Sequence, residues 1–132
     1  MESDEVVKEV KEQLRQFVIA INHADAEAWS RFFSKDHFLT AIVGADHYTD
    51  CNDWIDLIST YFSMRKSQHL EPIKLHITAL SQELALVVCE DKSEFWLKDG
   101  NHERALHIFS MLWEKEAEGW KIIHSHESWK DY

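Results

Sequence analysis

Apolar residues recur at intervals of three and four near the start of the chain: Val6, Val7, Val10, Leu14, Phe17, Val18 and Ile21. That spacing draws one apolar stripe down a helix and predicts a helix over 3–23. Ser3 stands where an N-cap belongs, and Asp4 and Glu5 suit the positive end of the helix dipole. Asp25 then caps a second, short helix that carries Trp29, Phe32 and Phe33. The apolar, partly β-branched run 38–43, stopped by Gly44, reads as a strand. Asp50 or Asn52 caps a third helix with Trp54, Leu57, Ile58, Tyr61 and Phe62 on one face, and Arg65 and Lys66 favour its C-terminal end.

From Glu71 the period drops to two, with Ile73, Leu75 and Ile77 alternating with Lys74, His76 and Thr78. Three more runs follow, 84–97, 104–115 and 120–129, separated by hairpin-like segments at 81–83, 98–101 and 116–119. Helices followed by a meander of long strands define an α+β domain. At 132 residues the chain predicts one domain over 1–132, without repeats or linkers.

Composition narrows the choice of partners. A net charge of −10, with no cluster of Lys or Arg, makes nucleic acid and membrane surfaces poor partners. Apolar runs are far shorter than the ~20 residues that span a bilayer, and the acidic start MESDEVVKEV is unlike a signal peptide. Cys51 and Cys89 are too few to read as a disulfide framework, so a cytoplasmic setting is the simplest expectation.

Two stretches carry a family resemblance. Asn22-His23-Ala24-Asp25-Ala26-Glu27-Ala28-Trp29, followed by Phe32-Phe33-Ser34, resembles the helix junction of NTF2-like proteins. Residues 118–128, Glu-Gly-Trp-Lys-Ile-Ile-His-Ser-His-Glu-Ser, resemble the last strand of their SnoaL-like branch, and are similar to that of the calcium/calmodulin-dependent kinase association domain. The resemblance implies three N-terminal helices packed in a strongly curved antiparallel or mixed sheet. The implied shape is a cone with a ligand cavity at its open end, in proteins that commonly dimerise through the outer face of the sheet.

Strand alternation puts Trp120, Ile122, His124, His126 and Ser128 on one face of the last strand, with Lys121, Ile123, Ser125, Glu127 and Trp129 on the other. The two histidines and Glu127 then point apart and cannot form one ligand set. A metal would need a third ligand, for which His107 is the candidate, and the glycine- and proline-spaced signature of metal-binding barrels is absent. No metal and no cofactor is expected; the histidines are read as outer-face residues bonded to neighbouring strands or to a second subunit.

In the similar kinase domains the position of Glu127 carries a cavity-facing arginine, and the same matching implies that Asp91 and Met111 face the cavity. Asp91, Glu127 and His107 are therefore the catalytic candidates: burial would raise either carboxylate's pKa into a useful range, with His107 as a proton shuttle. The competing reading solvates these acids or pairs them with Arg65 or Arg104. Such an acidic lining favours a neutral or cationic ligand over a carboxylate. Tyr61, Trp54, Trp113 and Tyr48 join Met111 as ligand-binding candidates, being large side chains with an apolar body, mostly with a polar tip. Cys51 sits at the start of the third helix, where the dipole could lower its pKa, but no matched base stands nearby and an inert thiol is the stronger reading.

Some relatives implied by the resemblance are isomerases, cyclases or dehydratases. Ketosteroid isomerase chemistry needs a tyrosine and an aspartate where this chain has Phe17 and Ala41, so the residues disfavour it. The expectation is a SnoaL-like cone that binds a small, largely apolar ligand, with isomerisation, cyclisation or dehydration as the leading chemistry. The alternative is a non-catalytic ligand-binding, homo-oligomerisation or protein-interaction module. Strand 104–115 favours a homodimer, because Ala105, Phe109, Met111 and Trp113 fill one face while Leu106, Ile108 and Leu112 leave the other apolar and in need of a cover.

Overall fold

The computed structural model describes residues 2–131. The order is α1 (Ser3–Asn22), α2 (Ala26–Ser30), β1 (Thr40–Val43), β2 (Asp46–Tyr48), α3 (Cys51–Ser63), β3 (Arg65–Ala79), β4 (Leu84–Leu97), β5 (His102–Glu116) and β6 (Gly119–Asp131). The six strands form one curved, open, mixed sheet in the order β2-β1-β6-β5-β4-β3. Only β1 and β6 run parallel; every other pair is antiparallel. This is the α+β arrangement of helices packed in a curved sheet that the alternation pattern predicts.

The stripe on α1 is its buried face: Val6, Val10, Leu14, Phe17 and Ile21 are all sequestered. Full burial of a valine such as Val6 or Val10 contributes roughly 1.5–3 kcal/mol, so this face anchors the helix against the sheet. Asp25 caps α2 by accepting from Ala28 N, and Asp50 caps α3 by accepting from Asp53 N. Ser3 does not cap α1: the extended residue is Glu2, so Ser3 already lies inside the first turn.

Several boundaries differ from the sequence reading, among them the end of α2 at Ser30, which leaves Phe32 and Phe33 beyond the helix. Arg65 and Lys66 do not close α3; they open β3, which starts six residues before the alternation begins. The first strand begins at Thr40 rather than Phe38. A three-residue strand, β2, folds back on β1 through Gly44, whose φ of 60° is a left-handed turn. A Cβ at Gly44 would also stand 3.2 Å from the Trp129 ring, so glycine lets the turn lie against β6.

The consequential difference lies in β6. Leu112 pairs with His124 but Trp113 pairs with Ile122, so Ile123 is one extra residue, a β-bulge. A bulge reverses the parity of side chains on either side of it. Trp120 and Ile122 are therefore buried in the core on the same side as Ser125, which corrects the expected grouping of the strand's first half. Downstream the expected alternation holds: Ser125, Glu127 and Trp129 line the interior, while His124 and His126 face out.

Candidate functional site

The concave side of the sheet and the helices enclose a cavity of about 740 Å³, within the ~300–1,000 Å³ of small-molecule sites. Its apolar wall comes from Phe17 on α1, Trp29 on α2, Phe33, and Trp54 and Phe62 on α3. Exposed residues His102, Glu103, Arg104 and Asp131 belong to its rim. Tyr61 lines it too and is 37% exposed, so it stands at the solvent side of the cavity rather than in the core.

Three polar side chains line this space from the sheet: Arg65 at the start of β3, and His107 and Glu127 on the adjacent strands β5 and β6. Glu127 stands opposite Phe109, and His107 opposite Trp129, so the carboxylate and the imidazole are diagonal neighbours on one face of the β5–β6 pair. Burial pushes the Glu127 carboxyl up to about 7; Arg65 opposes that rise and Asp91 adds to it. Burial pulls His107 down to about 4, helped by the Arg65 charge, so the ring is neutral over the physiological range. The ring of His107 stacks on Phe109, with centroids 5.6 Å apart. Its Nδ1 is buried without a hydrogen-bond partner. Trp54 Nε1 and Ser93 Oγ, also in the cavity wall, are likewise unpartnered. Buried polar atoms are nearly always satisfied, and three unmet ones around an apolar hollow are what a polar ligand group would engage.

Asp91 is fully buried and lies across from His107, but it lines a separate small void beside Leu14, Val18 and Cys89 rather than the main cavity. Its Oδ1 accepts from Cys89 Sγ at 3.1 Å while Oδ2 has no partner. Burial pushes the carboxyl up to about 6, the thiol contact opposing and the Glu90 charge assisting. Met111 and Trp54 line the main cavity. Trp113 is a core residue, fully buried and meeting Phe17 and Phe32 edge-on, and it is not part of the cavity wall. Tyr48 packs on Trp54 at 6.0 Å but is not part of the cavity wall. Phe17 lines the cavity with no hydroxyl to offer, and Ala41 is core.

The residue that the sequence reading placed least well is Arg65. It was assigned to a helix end or to an acid's partner; it is a cavity-lining cation, so the lining is not simply acidic. On the outer face, His124 Nδ1 bonds Thr40 Oγ1 on β1 at 2.6 Å, as expected of a strand-bonded histidine. His107 lies on the opposite face, which separates it from any set with His124 and His126. Among the described residues one trio of donors comes close enough to share a cation, His37, Glu114 and Glu116, and none of them lines the cavity. Burial raises the thiol of Cys51, the Lys35 charge opposing and the Asp50 charge assisting.

The family profile described as "SnoaL-like domain" matches residues 10–132. Among curated proteins no sequence match was found. Solved structures match across most of the chain. A Streptomyces avermitilis protein provisionally named a dehydratase of the NTF2-like family is 15% identical with a TM-score of 0.84, covering 96% of this chain and 97% of that one. The hexachlorocyclohexane dehydrochlorinase LinA-type3 of Novosphingobium barchaimii is 11% identical with a TM-score of 0.77, covering 96% and 87%. A Xanthomonas campestris protein provisionally named a calcium/calmodulin-dependent protein kinase II association domain is 13% identical with a TM-score of 0.77, covering 91% and 84%. At these identities the likeness is one of fold. No helix among the described residues is long and apolar enough to cross a membrane.

Proposed function

Because the chain belongs to the SnoaL-like domain family, we propose that its cavity binds a small, largely apolar molecule and that Glu127 removes a proton from it. Proton abstraction is the step shared by isomerisation, cyclisation and elimination. The observation that carries this reading is that, of the carboxylates lining the aromatic hollow, Glu127 is the half-buried one and has no bonded partner among the described residues. A carboxylate stripped of water is a stronger base than one in bulk solvent, and a pKa near the working pH gives it a large ionised fraction as well. Neutral His107 serves as a hydrogen-bonding group for the oxygen or halogen that gains charge, rather than as a shuttle that must itself ionise. Asp91, one strand further back, acts on Glu127 through its charge. That the dehydratase-named and dehydrochlorinase relatives have names denoting eliminations supports the choice of chemistry.

The test is proton abstraction from 5-nitrobenzisoxazole, a flat aromatic carbon acid. Glu127 takes the ring C–H proton, the N–O bond breaks, and a coloured cyanophenolate leaves without any further reactant. Purified protein that accelerates this opening no more than the same concentration of free acetate contradicts the reading.

A second proposal concerns assembly. Ile108 is 47% exposed and Val88 36% exposed on the outer face of the sheet, where Leu86, Leu106 and Leu112 lie beside them. Covering this patch with a second copy makes a homodimer in which both patches are buried. Light scattering should give twice the chain mass for the native protein and one chain mass for Ile108→Lys; a native monomer at micromolar concentration excludes the dimer.

A further inference from the structure

Arg65 is held in place by features that have little to do with folding. Its guanidinium sits over the Phe95 ring, 4.0 Å from the centroid, and Nη1 donates to Gln68 Oε1 at 2.7 Å. Gln68 is 3% exposed and fixed in turn, because its Nε2 donates to the Ile21 carbonyl at 2.5 Å. The plane and direction of the guanidinium are thereby set by a ring on β4 and a backbone carbonyl of α1. A guanidinium carries five N–H donors. Among the described residues, Gln68 is its one hydrogen-bond partner, and it forms no ion pair with a carboxylate. Glu127 and Glu103 act on it only at longer range. A half-buried, permanently charged fork with unused donors is costly unless a ligand's charge meets it. Arg65 lines the cavity, where a ligand can reach it.

We propose that Arg65 is an anion subsite, and that the natural ligand is an aromatic or alicyclic compound bearing a carboxylate or comparable oxyanion. The ring system lies against Trp29, Phe33, Trp54 and Phe62, and the anionic group takes two parallel hydrogen bonds from the guanidinium. This rests on the cavity being the ligand site, and is independent of whether Glu127 acts as a base. It also reverses the preference for neutral or cationic ligands drawn from the carboxylates alone.

The test uses two fluorescent probes with one skeleton: 1-anilinonaphthalene-8-sulfonate, and N-phenyl-1-naphthylamine, which lacks the sulfonate. Wild-type protein should bind the sulfonate about tenfold more tightly or better, as one charge-assisted contact allows. Arg65→Met keeps an unbranched side chain at this position and removes only the charge and its donors, so the neutral probe should keep its affinity while the preference falls to about unity. That loss also separates the cavity from the outer apolar face, which Arg65 does not touch. Equal affinities in the wild type, or a preference that survives in Arg65→Met, overturn the subsite. If Arg65→Met does not fold, displacement of the neutral probe from wild type by 1-naphthoate against 1-naphthalenemethanol decides in the same way. Failure of both probes to bind removes the cavity reading itself and the subsite with it, whereas equal binding removes the subsite alone.

Discussion

Glu127→Gln should abolish the opening of 5-nitrobenzisoxazole, lowering the rate by about 10²-fold or more, the usual contribution of a positioned general base. The substitution keeps size and shape and removes only the proton acceptor, so binding of the neutral naphthylamine probe should be unchanged. The wild-type rate should rise with pH through about 7 and level off above it, because only the ionised carboxylate accepts a proton. His107, neutral until the pH falls to about 4, adds no second limb in that range. A variant that retains the rate would move the base elsewhere.

The second large effect concerns stability and belongs to Asp91. Its carboxyl is fully buried and pushed from 3.8 up to about 6, so the folded protein binds this proton more tightly than the unfolded chain. The stability that this proton supplies is fully present below the unfolded value of 3.8 and is lost as the pH rises through about 6. Above that, the folded state holds an ionised acid with one oxygen unpartnered. Asp91→Asn removes the ionisation and should stabilise the protein by roughly 3 kcal/mol at pH 8, an order-of-magnitude figure from a shift of about two units. The advantage should shrink as the pH falls through 6 and vanish near 4, because both side chains are then neutral. Urea denaturation of both proteins across this range measures it. An advantage independent of pH would mean that the gain comes from packing rather than charge.

Much of this was readable in the chain because the relevant periods are strong. The α1 stripe, the caps at Asp25 and Asp50, and the four long strands follow from apolar spacing and from residues whose side chains bond backbone N–H groups. Glu127 was readable because alternation counted back from Trp129 reaches it before any irregularity. The first half of the same strand was not, since a bulge is set by register with β5. Its sequence trace is the doublet Ile122-Ile123, two apolar neighbours in an otherwise alternating strand. Arg65 was hidden for another reason: the opening of β3, Arg-Lys-Ser-Gln-His, has no apolar alternation, and its inward residues are Arg65 and Gln68. Trp113 is a large inward side chain with a polar tip, which reads as a ligand contact in the sequence; its packing against Phe17, which lines the cavity, is a matter of tertiary contact that no spacing reveals. β2 is too short and polar to leave a pattern.

The proposed function depends on Glu127 being a stronger base than an ordinary glutamate, its hold on the carboxyl proton strengthened by burial. Carbon-detected NMR of the side-chain carboxyls, with the Glu127 signal identified by its loss in Glu127→Gln, follows that proton directly. The titration midpoint of Glu127 should fall at about 7. A midpoint at the ordinary value of 4.5 would mean a solvated acid at a cavity edge, and the proposed base would have no basis.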